Sequence, residues 1–182
     1  FGGNLVDVDR VRPEGDEGHE KFLELFPMIG FGRVLKPESI EIVDDGAFSG
    51  RAVVRVTGRD HGLPVLDMVV PTSSTYLHAT MDYILGPDAR EVEIALTVTN
   101  TASWTQDVSV GSFLQFGKRF EKFYHRCGLG KECVTGRSDL DWLAAASEDV
   151  SLALTAAPGL NPKVLLAQDD ILLTEMAAAS LD

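Results

Sequence analysis

Along Glu91–Asn100 the apolar side chains Val92, Ile94, Leu96 and Val98 alternate with Glu91, Glu93, Thr97 and Thr99. Strict period two marks a strand with one buried and one wet face, as in an antiparallel sheet. A second run of β-forming residues, Tyr76–Leu85, precedes it across Gly86-Pro87-Asp88. The pair predicts a hairpin. Upstream, Ile40–Val43 and Gly50–Thr57 read as strands divided by the turn residues Asp44-Asp45-Gly46. An apolar run at Val65–Val70 lies between breaks at Gly62-Leu63-Pro64 and Pro71. Further strands are expected at Asp107–Val110, Phe113–Phe116, Val150–Thr155, Lys163–Ala167 and Ile171–Thr174.

Residues 1–20 are polar apart from Leu5-Val6 and suggest an opening strand followed by a loop. Two stretches read instead as short helical turns: Glu20–Phe26, ended by Pro27, and Asp141–Ala146. Strand signals at intervals of about 8–12 residues, with few helix-length patterns, point to an all-β fold. The expected architecture is an antiparallel β-sandwich with a few short helical turns. Residues 1–160 would form the sandwich, and 161–182 its final strands or the start of a following element.

Composition narrows the function classes. The 182 residues are 45% apolar and 24% charged, enough to bury a core. Sixteen basic against 28 acidic residues give a net charge of -12. Such a field disfavours nucleic acid and anionic lipid. No apolar run approaches the ~20 residues of a membrane-spanning helix. The opening Phe1-Gly2-Gly3-Asn4 and the ending ILLTEMAAASLD suggest a piece of a longer protein.

Candidate chemistry is sparse. Cys127 and Cys133 enclose a loop with two glycines, short and flexible enough for a disulfide, which would imply an oxidising compartment; two reduced thiols are the alternative. With His125 they offer at most three zinc ligands, so no zinc site is expected. His19, His61, His78 and His125 form no H-x-H or H-x-x-x-H pair. The carboxylate pairs Asp7/Asp9, Asp44/Asp45 and Asp169/Asp170 leave Ca²⁺ as a candidate ion, although no D-x-D-x-D-G run is present. Asp44-Asp45-Gly46 reads as a turn. No phosphate loop and no G-x-S-x-G elbow occur.

Exposed aromatics are how proteins stack sugar rings, and Trp104, Phe120, Phe123, Tyr124 and Trp142 are available. Trp104 falls in a turn over Ala102–Thr105, where full burial of an indole is awkward. His125, in FYHRC, neighbours aromatics and could line a ligand surface. Core or rim packing is the competing reading for each.

The segment DYILGPDAREVEIALTVTN, continuing to VGSFLQFG, resembles the middle strands of galactose mutarotase-like supersandwich domains. Tyr83, Leu85, Val98 and Asn100 match that pattern. More narrowly, GGNLVDV, LELFP and DWLAAASEDVSLALT resemble the sandwich domain that precedes a PHP-type metallohydrolase domain in some bacterial secreted proteins. In the epimerases of the superfamily a catalytic histidine follows this asparagine strand. Here that place reads Ser112-Phe113-Leu114-Gln115-Phe116. The resemblance therefore implies a non-catalytic, periplasmic or extracellular module that binds carbohydrate or packs against an adjoining domain. A divergent epimerase or glycosidase-associated domain, and a structural subunit making protein contacts, are the alternatives. The candidate ligand-binding residues are Trp104, Tyr124, His125 and Trp142, with no catalytic residue.

Overall fold

A computed structural model describes residues 23–30, 33–62, 75–116, 122–125, 128–129, 135–136, 138, 141–146, 151–160, 162–168 and 171–182. Among them there is no helix. Twelve strands follow in order: β1 (Leu23–Ile29), β2 (Arg33–Asp45), β3 (Ala52–Gly62), β4 (Leu77–Leu85), β5 (Glu93–Asn100), β6 (Gln106–Phe116), β7 (Lys122–His125), β8 (Gly128–Leu129), β9 (Trp142–Ala146), β10 (Ser151–Thr155), β11 (Lys163–Gln168) and β12 (Ile171–Leu181). The fold class is all-β and antiparallel, as the alternation predicts. The chain divides into two compact units, one built chiefly on Ile29–Val108 with Ser180–Asp182, the other chiefly on Ser109–Ala179.

In the first unit β2, β3, β4 and β5 form an antiparallel meander. The register Val54↔Tyr83↔Ile94, Val56↔Met81↔Leu96 and Gly58↔Ala79↔Val98 gathers the apolar positions on one face. Val56, Ala79 and Met81 are fully buried there. The opposite face carries the row Ser39, Thr57, Thr80, Thr97 and the row Glu41, Arg55, Asp82. Arg55 grips Asp82 through two 2.7 Å hydrogen bonds, and these hold the Asp82 carboxyl below its ordinary pKa. The predicted hairpin is present, its turn closed by Ala89 N–H donating to Gly86 O with Asp88 at φ 55°. Val92, expected inward, instead lies exposed just before β5.

Asp44-Asp45-Gly46 is the turn its residues predict. Asp44 Oδ1 accepts from Gly46 N and Asp45 Oδ1 from Ala47 N, both at 2.9 Å. These are self-capping turn carboxylates. Farther down the same strand pair, β2 bulges between Pro37 and Ser39, pressing backbone against β3 at Gly58. A Cβ on Gly58 would sit 2.1 Å from Lys36 O, so only glycine fits.

In the second unit β6 and β12 are neighbours, with β11 beyond β12, and a second sheet runs β10-β9-β7-β8. Leu143 and Leu154 from the second sheet and Val164, Thr174 and Met176 from the first line one shallow cavity, so these sheets face each other. That is the sandwich layering. Phe123, Leu143, Ala145 and Val164 form its core, where Ser112 and Thr174 satisfy one another by a 2.8 Å hydroxyl contact. Gly111 lets β6 approach β12, since a Cβ there would lie 1.8 Å from Thr174 O. Hence the two expected runs at Asp107–Val110 and Phe113–Phe116 are one continuous strand.

The expected helical turns are corrected where they are described, Glu20–Phe26 from Leu23 onward and Asp141–Ala146. Leu23–Ile29 is a strand that runs through a buried Pro27, and Trp142–Ala146 is a strand paired on both sides, to β7 and β10. Segments of five to seven residues cannot nucleate a stable helix on local propensity, and sheet pairing wins. Proline fits an extended strand because its fixed φ lies in the β region; it forfeits only one donor. The expected strands at residues 1–20 and Val65–Val70 lie outside the described residues.

Candidate functional site

At one end of the β2–β5 meander the chain makes a tightly tied junction from the start of β4, the end of β5 and the start of β6. Asp60, near the end of β3, is its buried anchor, with a fully covered side chain. Its Oδ2 accepts from Thr75 N at 3.0 Å and Thr75 Oγ1 at 2.7 Å, and its Oδ1 from Leu77 N at 3.1 Å. Arg33 completes the charge balance, Nε to Oδ2 at 2.7 Å and a second nitrogen at 2.5 Å. Burial pushes the Asp60 carboxyl up, but the bonds from Thr75 and Arg33 outweigh it and the pKa ends below the ordinary value.

Between the two clamped amides of Thr75 and Leu77 stands Tyr76, at φ 60°. Left-handed backbone is unusual for a bulky residue and persists only where surrounding bonds over-determine it. They do so here. Thr101 donates both its N–H, at 2.9 Å, and its hydroxyl to Tyr76 O. Gln106 Nε2 donates to Thr75 O at 2.7 Å.

Asn100 braces the other half of the junction. Its Nδ2 donates to Trp104 O at 2.7 Å and Leu181 O at 3.0 Å, while its Oδ1 accepts from Ala102 N at 2.9 Å and Gln106 Nε2 at 2.7 Å. One amide thus holds both strand ends and the loop between them, using donors and acceptor alike. Thr105 Oγ1 adds a 3.0 Å bond to Asp182.

The frame presents two aromatic rings. Tyr76 and Trp104 meet edge to face with centroids 5.6 Å apart and planes at 84°. They remain 55% and 54% exposed, so much of each ring is open to a ligand. Large aromatics are ordinarily covered. Two of them in solvent on an over-determined backbone form a preorganised apolar corner.

The other sequence candidates fall elsewhere. Tyr124 and His125 are neighbours on β7, so the pleat sends them to opposite faces: Tyr124 is exposed, His125 is 3% exposed. Trp142 is half-buried and lines the shallow cavity with Leu143, Leu154 and Val164. Phe123 is core. His78 stands 3.6 Å from Glu38, which also pairs with Arg59 at 2.5 Å. Cys127, Cys133, Phe120, His19 and the pairs Asp7/Asp9 and Asp169/Asp170 lie outside the described residues. Among the described residues no three His, Cys, Asp or Glu side chains gather as a metal site, and no helix is long and apolar enough to cross a membrane.

Sequence reasoning singled out Trp104 but not Tyr76 or Asp60. The one available signal was Asn100, a side chain able to bond backbone two residues on, at a strand end before a short polar stretch. No protein-family model, curated protein or solved structure matches the chain.

Proposed function

We propose that this chain is a non-catalytic β-sandwich module, part of a larger exported bacterial protein, that holds a carbohydrate against Trp104 beside Tyr76. The observation that carries the reading is the exposed, perpendicular Tyr76–Trp104 pair on a backbone locked by Asp60, Asn100 and Gln106. A pyranose has an apolar face of C–H groups that stacks on an indole. A second ring at right angles limits how that sugar can lie. Rigid aromatics contribute contact area at small entropic cost. Recognition without chemistry fits the segment Ser112–Phe116, where the epimerases that the sequence resembles carry their histidine; here Ser112 and Leu114 are buried in the sandwich.

Titration of the chain with mono- and oligosaccharides by calorimetry, with and without Ca²⁺, tests the reading. Saturable binding that Trp104→Ala abolishes supports it. Binding untouched by that substitution counts against it.

A second reading, packing against an adjoining domain, rests on a separate surface. Ile40, Ile42, Val43 and Phe48 are 50% or more exposed on β2 and its turn, with Val54 beside Ile42. An apolar patch of this kind suits a protein partner. Replacing Ile42 and Phe48 with Ser would raise solubility while leaving sugar binding intact if that patch serves a different contact.

A further inference from the structure

We propose that Asp60 is a positioning residue for the Tyr76–Trp104 corner: its buried carboxylate, bonded to the backbone on either side of Tyr76, sets the angle at which the rings meet a ligand. The sugar-affinity part rests on the carbohydrate reading above; the geometric part does not.

The argument is one of connectivity. Tyr76 is flanked by Thr75 and Leu77, and the amides of both point at the two oxygens of Asp60. A single carboxylate accepting from both amides draws the chain into a tight loop, and the residue between them takes the left-handed turn. The Tyr76 carbonyl that results accepts from Thr101, at the start of the loop that carries Trp104. Thr75 O accepts from Gln106, just past that loop, and Gln106 also donates to Asn100, which holds Trp104 O. Hydrogen bonds and the backbone between them thus link Asp60 to the main chain of both Tyr76 and Trp104 within one unit. Arg33 keeps the carboxylate charged in its buried place, so it acts only as an acceptor.

An amide at this position offers one acceptor oxygen and two donor hydrogens. Asp60→Asn therefore sets an NH2 group against the Thr75 donors or the Leu77 amide. The left-handed turn at Tyr76 then loses part of its support, with only the bonds from Thr101 and Gln106 left in place.

The test uses the whole chain labelled with 5-fluorotryptophan. It contains two tryptophans, Trp104 and Trp142, whose ¹⁹F resonances are assigned with Trp104→Phe. Asp60→Asn is expected to shift or broaden the Trp104 resonance and leave that of Trp142 in place. Sugar affinity should fall about tenfold or more. A folded Asp60→Asn chain whose Trp104 resonance is unmoved overturns the proposal. Should that variant fail to fold, Thr75→Val removes a single hydroxyl donor to Asp60; a smaller Trp104 shift supports the proposal and none overturns it. Because fluorine reads ring geometry without ligand, a wild-type chain that binds no sugar refutes the carbohydrate reading while the positioning role is still decided.

Discussion

At the β4–β5–β6 junction two aromatic rings stand in solvent above a backbone tied by side-chain carboxylate and amides. In the β7–β9 ribbon of the other unit the aromatics are sorted by the pleat alone: Phe123 and His125 inward, Tyr124 outward, Trp142 half-covered. The first region is held by side-chain hydrogen bonds to its backbone, the second by side chains buried between two sheets. In that ribbon the inward rings Phe123 and His125 fill space between the sheets. At the junction a strained turn and a web of hydrogen bonds hold two rings half in solvent, and the proposal that this end binds a ligand rests on that contrast.

Substitutions break the contrast in a predictable order. Leu143→Ala empties a buried position facing the other sheet and should cost about 2–5 kcal/mol in denaturant unfolding. Trp104→Ala, removing a half-exposed ring, should cost no more than about 1 kcal/mol while eliminating sugar binding. Equal losses for the two would erase the distinction. Gly58→Ala forces a methyl into Lys36 O beside the β2 bulge and should lose about 1–3 kcal/mol, read as a lower melting temperature.

Acid separates the regions next. The Asp60 carboxyl titrates below the ordinary value in the folded chain, so its contribution is full above the ordinary carboxylate range and disappears as pH falls through the folded pKa. The stability gap between wild type and Asp60→Asn should therefore be constant near neutrality and close below about pH 4. A gap that widens on acidification would contradict the assigned sign. The smallest effect is expected at Tyr76. Tyr76→Gly relieves the left-handed strain by up to about 1 kcal/mol and so leaves stability unchanged or raised, while weakening sugar binding. A marked fall in melting temperature would mean the ring is packing and not presenting.

Much of this fold is legible in the chain. The β4–β5 hairpin follows from Ile94, Leu96 and Val98 alternating with polar residues after Gly-Pro-Asp, because a one-residue slip would turn that face outward. The same logic fails at Glu20–Phe26 and Asp141–Ala146, where five to seven residues carry a local pattern that pairing with distant strands overrides. The site is harder still. Trp104 is legible as an aromatic in a turn, but the turn at Tyr76 is held by Asp60, Thr101 and Gln106, which lie 16 to 30 residues away in sequence. No local propensity calls for a left-handed tyrosine. Adjacency in a strand, by contrast, puts Tyr124 and His125 on opposite faces, which the sequence shows as readily as it shows their closeness.

The most direct test is a paired calorimetric titration of wild type and Trp104→Ala with one panel of mono- and oligosaccharides, each variant first shown to melt as a folded chain. Saturable binding to wild type, lost in Trp104→Ala at a melting temperature within a few degrees, is the predicted result. Absence of binding to wild type across the panel, or undiminished binding to Trp104→Ala, would contradict the assignment of the Tyr76–Trp104 corner as a carbohydrate site.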